Sequence, residues 1–217
     1  MSGCCGSKAR FDGASKGFRR ALWAVIALNA TMFVVEIVAG EIAGSQALKA
    51  DALDFAGDTL TYGISLAVIG MSLRRRAVAA LAKGVSLSLM GLWVMGSTLW
   101  RVFAAGVPEA EVMGIVGVLA LAANLASVVI LMSYRDGDAN VRSVWLCSRN
   151  DAVGNVAVMI AALGVFGSAS AWPDLLVAGV MSALFLSSSV QILRQGIAEY
   201  RAGDEHDHAV AGAHAAR

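Results

Sequence analysis

Six stretches of the chain are long and apolar enough to cross a bilayer as helices: about 21–40, 48–73, 78–105, 112–133, 141–166 and 172–193. Each meets the requirement of about 20 mostly apolar residues per span. The connections between them are short, so sequential helices are expected to pack as neighbours, with no room for a second soluble domain. The runs are too long and too uniformly apolar to be barrel strands, whose two faces alternate, and open sheet edges are not viable against lipid. The pattern therefore predicts an all-α integral membrane protein with six transmembrane helices over 21–200, a flexible N-tail at 1–20 and a C-tail at 201–217. The opening residues, MSGCCGSKARFDGASKGFRR, have no apolar core or cleavage site and so read as neither a secretory signal nor a lipoprotein leader.

Composition agrees: of 217 residues, 58% are hydrophobic and 15% charged, against roughly 25% charged in soluble domains. The basic residues sort the two sides of the membrane. The N-tail (Lys8, Arg10, Lys16, Arg19, Arg20), the 74–83 connection (Arg74, Arg75, Arg76, Lys83), the 135–149 region (Arg135, Arg142, Arg149) and the C-tail (Arg194, Arg201, Arg217) hold all but Lys49 and Arg101. Both termini are thus expected in the cytoplasm, of a protein in the plasma or inner membrane. A net charge of +1 provides no field to hold nucleic acid, which excludes that partner. Three Cys cannot build a disulfide framework, so any chemistry they have is that of thiols.

An ionisable side chain inside the bilayer costs at least about 2.5 kcal/mol on insertion scales, so each one needs a partner, a proton or a task. The second span carries Asp51, Asp54 and Asp58, and the four-residue step from Asp54 to Asp58 puts both on one helical face. Asp51 lies on roughly the same stripe, closer to the outer end. Two adjacent carboxylates with no Lys or Arg one turn away repel each other as anions, and a divalent cation removes the repulsion. The fifth span offers a matching pair, Cys147 and Asp151. Antiparallel helices carrying such pairs can close three carboxylates and a thiolate around one ion, a donor set suited to Zn²⁺. Counted at 1.5 Å per residue, these spans put Asp58 towards the outer half and Asp151 towards the inner half. Gly57 and Gly154 would allow the two helices to approach. Structural carboxylates within the bundle are the alternative, which the convergence of three without basic partners disfavours.

Several other residues have candidate roles. Asn155 suits hydrogen bonding behind the ligands. Asn29, Glu36 and Asn124 suit polar contacts between helices, and Gly84, Ser88, Gly91 and Gly96 suit close packing. Arg101 and Lys49 suit the outer interface. Cys4 and Cys5 on the N-tail, and His206, His208 and His214 among acidic residues of the C-tail, could collect metal weakly.

From Phe18 to Tyr200 the chain resembles the cation diffusion facilitators, six-span exporters that exchange a divalent metal for protons. The resemblance rests on Asn29, Glu36, Gly40, Ser45, Ala47-Leu48 and Ala50-Asp51-Ala52-Leu53-Asp54 with Asp58, on Cys147 and Asp151 followed by Ala152, Gly154 and Val156, and on Trp172-Pro173-Asp174 opening span six. It implies that Asp54, Asp58, Cys147 and Asp151 hold the metal, and that spans three and six rock against the others. Cys147 stands where the family usually has His, which tilts preference towards thiophilic ions. The chain stops at Arg217, so a short form without the usual cytoplasmic metal-binding domain is expected, and a homodimer remains open as a partner state.

The function expected is export of a divalent transition metal, Zn²⁺ first with Cd²⁺ and Co²⁺ close behind, in exchange for protons. Asp51, Asn155, His206 and His208 would be accessory. The metal is cargo, so no resident cofactor and no enzyme activity are expected. An exporter of small organic solutes, and a metal-binding membrane scaffold or sensor without transport, are the two rivals.

Overall fold

The computed structural model describes residues 16–67, 73–104, 106–134 and 139–215; within these, the side chains at 65, 73, 74, 76, 134, 139–150 and 202–215 are outside the description. The described residues form six helices, α1 (Lys16–Ala43), α2 (Gln46–Ala67), α3 (Leu73–Ala104), α4 (Ala110–Leu131), α5 (Ala139–Ser168) and α6 (Trp172–Ala215), with a 3-10 turn at Met132–Tyr134. There is no strand among the described residues. The backbone of the expected C-tail is a continuation of α6 as far as Ala215.

Among the described residues five helices are long and apolar enough to cross a membrane; α2 as described falls outside that group. The reason is its sequence, which carries Lys49, Asp51, Asp54 and Asp58 within three turns. Its neighbours compensate, because α2 packs against α1, α3, α5 and α6 and buries Ala47, Leu48, Ala50, Ala52, Leu53, Phe55 and Ala56. Large apolar side chains instead face outwards on the surrounding helices, among them Trp23, Ile42, Trp100, Phe103, Leu163, Phe166 and Leu176. An apolar exterior around a core that contains the charges is the arrangement a lipid solvent selects.

Neighbours in sequence are neighbours in space for α1–α2, α2–α3, α4–α5 and α5–α6, but the expectation fails for α3 and α4, which scarcely touch. The most extensive pairing joins α3 to α6. Glycines explain how closely these two approach: a Cβ at Gly84 would lie 2.7 Å from Leu193, and one at Gly91 would lie 2.8 Å from Leu186. Between them Ser88 and Ser189 share a hydrogen bond of 3.1 Å. Gly96 has no neighbour within 4 Å of such a Cβ and takes no part in the close packing.

The α1–α2 turn sets the position of α2. Gly44 adopts φ +68°, which ends α1 with Ser45 N–H donating to the Gly40 carbonyl at 3.0 Å, the hydrogen-bond pattern of a left-handed helix stop. Ser45 then caps α2, its Oγ accepting from Leu48 N–H at 3.1 Å. The remaining donors are met from another helix. The buried Asp174 carboxylate of α6 accepts from Ser45 Oγ at 2.6 Å, Gln46 N–H at 2.8 Å and Ala47 N–H at 3.0 Å, where the helix dipole favours an anion.

The Lys49 side chain is buried within the protein. It is 3% exposed, paired with Glu41 at 2.7 Å and placed 5.6 Å from the Trp93 ring centre, where a cation is attracted to the π face. The Arg101 guanidinium closes over the turn, 3.0 Å from where a Cβ of Gly44 would stand.

Candidate functional site

A cavity of about 530 Å³ lies between α2, α3, α5 and α6. Asp54 and Asp58 of α2 and Asp151 of α5 line it, together with Gly57, Thr61, Lys83 and Gly154 and an apolar wall that includes Leu87, Met181, Leu184 and Phe185. The helical step predicted from the sequence thus sends both α2 carboxylates to one place. The expected difference in depth between Asp58 and Asp151 is not found: from α2 (Gln46–Ala67) and α5 (Ala139–Ser168) they reach the same cavity. Both residues lie mid-helix, and their carboxyl groups face each other.

Few donors serve these carboxylates. Tyr62, one turn on, donates its hydroxyl to Asp58 at 2.6 Å, while Asp151 Oδ2 is buried with no hydrogen-bond partner. Gly154 sits directly over the pair of helices, and a Cβ there would be 3.8 Å from an Asp51 oxygen and 3.9 Å from an Asp54 oxygen. It therefore lets α5 approach the α2 acids. Gly57, by contrast, faces Phe185 of α6.

The acidic group does have a basic neighbour. Lys83, assigned from sequence to a connecting segment, lies within α3, lines the cavity, donates to Thr61 Oγ1 and acts electrostatically on Asp58. No signal along the chain marks it, since its approach to Asp58 depends on how α3 packs on α2.

Asp51 parts company with Asp54. It is 1% exposed, is absent from the cavity wall, and accepts from Asn155 Nδ2 at 2.6 Å. Asn155 in turn accepts from Asn124 at 2.8 Å, so α2, α5 and α4 are tied by one buried chain of hydrogen bonds. Glu36 lies beside Asp51, and both its carboxylate oxygens, like the Asn29 side chain, are buried without a hydrogen-bond partner.

Cys147 precedes Asp151 by one turn on α5, but its side chain lies outside the described residues, as do those of His206 and His208; Cys4 and Cys5 are outside them altogether. Among the described residues no three of His, Cys, Asp or Glu form a ready-made metal-holding group. The site as described is an acidic cavity with its three carboxylates grouped, rather than a closed coordination shell. Chemically it offers hard oxygen donors and an apolar wall that limits water.

Apolar helices around a cavity lined by grouped carboxylates define a helical membrane bundle with an acidic site. Residues 22–199 match the cation efflux transmembrane domain family, and the chain belongs to it, the cation diffusion facilitators. Among curated relatives it is similar to the metal cation efflux system protein CzcD of Cupriavidus metallidurans, with 26% identity over 200 residues covering 83% of this chain and 63% of that protein. The zinc transporter ZitB of Escherichia coli is 27% identical over 198 residues, covering 85% of this chain and 63% of ZitB. The cadmium, cobalt and zinc/H(+)-K(+) antiporter of Bacillus subtilis is 22% identical over 180 residues, covering 76% and 57% respectively. The chain spans less than two thirds of the length of these relatives. It is a multi-pass protein of the inner membrane, and its family is one of transporters rather than enzymes.

Proposed function

We propose that the chain moves a divalent transition metal out of the cytoplasm in exchange for protons, with Asp54, Asp58, Cys147 and Asp151 holding the ion. The observation that carries this is the convergence of Asp54, Asp58 and Asp151, from two helices, on one cavity. Carboxylate oxygens and a thiolate together suit Zn²⁺, and the thiolate brings Cd²⁺ and Co²⁺ within range. The names of the relatives, which include zinc, cadmium and cobalt, point the same way.

Proton exchange follows from linkage: the ligands bind metal only when deprotonated, so protons arriving from the far side displace the ion. Alternating access then consists of the tightly joined α3–α6 pair rocking against the helices that carry the carboxylates. In this account α2 is the sixth span, 21–200 is the transport unit, and both termini are cytoplasmic, which puts His206 and His208 where they can raise the local metal concentration. Asp51 and Asn155 hold α2 and α5 in register behind the site. A second copy of the chain is the protein partner this account allows.

Vesicles reconstituted with the chain, loaded with Zn²⁺ or Cd²⁺ and given a pH gradient, test it. Metal movement driven by the gradient, lost in both Asp58→Ala and Asp151→Ala while the variants remain folded, is expected. Metal binding without flux would mark a scaffold or sensor, proton-driven flux of organic cations alone would mark a solute exporter, and either result contradicts the proposal.

A further inference from the structure

Lys83 lines two cavities at once. The larger is the acidic one with Asp54, Asp58 and Asp151; the smaller, about 210 Å³, continues along the bundle and is lined by Thr61, Ile64, Lys83, Gln195 and Glu199. Thr61, Lys83 and Ile192 belong to both walls, so they form the boundary between the acid cluster and the end of the bundle where α2 finishes and α3 begins. Thr61 is one of the groups that hold Lys83 there. Thr61 donates its own hydroxyl to the Gly57 carbonyl at 2.6 Å, which leaves its lone pairs to accept from the Lys83 ammonium. Asp58 lies one turn away on the same helix and feels the ammonium charge. On the other side Glu199 waits in the smaller cavity, steadied by a hydrogen bond of 2.8 Å from Gln195.

We propose that Lys83 is a tethered stand-in for the transported ion, its ammonium guarding the mouth of the acidic cavity when no metal is bound and swinging to Glu199 when a divalent cation enters. The proposal rests on the metal-site account above and adds a competitor built into the chain. Three carboxylates facing one another need positive charge, and a single ammonium supplies part of it from a flexible four-carbon stem. A divalent ion supplies more, and like charges in one mouth repel strongly where water is scarce, so the ammonium must leave. Glu199 is the carboxylate within the next cavity that can receive it. The consequence is an affinity lower than the carboxylates alone would give, and a metal-free cavity whose charge is partly compensated from within the chain.

The test uses the full chain in lipid nanodiscs titrated with Zn²⁺ alone by calorimetry at fixed pH. Lys83→Gln is expected to bind Zn²⁺ roughly 5–20-fold more tightly than the unsubstituted chain, within the usual range of coupling between sites. Glu199→Gln is expected to weaken binding several-fold when Lys83 is present and to have no effect in the Lys83→Gln background, a non-additivity that a merely structural role would not produce. Independently of any substitution, Zn²⁺ should raise several-fold the modification of Lys83 by a water-soluble acylating reagent, read by mass spectrometry, which keeps the test decisive if Lys83→Gln fails to fold. Binding that is unchanged or weaker in a folded Lys83→Gln, additive effects in the double variant, or metal-independent labelling would each overturn the proposal while leaving the metal site standing. Absence of Zn²⁺ binding in the unsubstituted chain would overturn both.

Discussion

In the N-terminal half of α2 most polar groups are buried and matched, with Gln46 Nε2 the exception: Asp174 takes the first amides, Ser97 donates to Gln46 Oε1 at 2.7 Å, Glu41 and Trp93 hold Lys49, and Asn155 donates to Asp51. In the C-terminal half Asp54 and Asp58 are half-buried, line a cavity, and among the described residues Asp58 meets the Tyr62 hydroxyl, the Asp151 carboxyl group and the charge of Lys83. The two halves share carboxylates, lipid-shielded surroundings and one helix. What separates them is satisfaction: a buried carboxylate supplied with donors is part of the scaffold, whereas grouped carboxylates short of donors retain capacity for a cation.

Substitutions on each side should therefore fail differently. The largest effect is expected from Asp174→Ala, which leaves the Ser45 hydroxyl proton and two amides at the start of α2 without their acceptor. At about 1–3 kcal/mol for each buried group left unmatched, the chain should lose several kcal/mol of stability, seen as a large fall in melting temperature in detergent, while the folded fraction keeps its Zn²⁺ affinity. Loss of affinity with unchanged melting would erase the distinction between the halves.

Gly154 tests the site half. A methyl group there meets Met181, Asp51 and Asp54 only at 3.6–3.9 Å, ordinary contact, so Gly154→Ala should fold and bind metal nearly as before. Gly154→Leu fills the space over the carboxylates and should lower Zn²⁺ affinity by roughly 10-fold or more, the scale on which displaced ligand supports act. Equal affinities in the two variants, by calorimetry, would remove Asp54 from the site.

The smallest effect is one of selectivity. Cys147→His replaces a soft thiolate with a harder imidazole, so the ratio of Cd²⁺ to Zn²⁺ flux should fall severalfold with total flux largely kept. An unchanged ratio would return Cys147 to helix packing.

Much of this architecture is written along the chain because lipid imposes a length on each apolar run. The ends of the helices are written less clearly. The start of α2 depends on Gly44 and Ser45 locally but also on Asp174, more than a hundred residues away, and the start of α3 at Leu73 is hidden because its basic first turns look like a loop. The pairs of acids four residues apart are local, so the grouping of Asp54 with Asp58 can be read directly. The fate of Asp51 and Lys83 cannot, since the hydrogen bond from Asn155 and the approach to Asp58 are made across helices. Asp51 lies three residues from Asp54 on nearly the same stripe, yet one joins the polar chain to α4 and the other lines the cavity.

X-ray absorption at the metal edge, on the reconstituted chain loaded with one equivalent of Cd²⁺, tests the central claim most directly. The proposed site of Asp54, Asp58, Cys147 and Asp151 predicts a shell of carboxylate oxygens with a single sulfur, lost together in Asp58→Ala. A shell made of imidazole nitrogens would place the ion on the His-bearing end of α6 and contradict it.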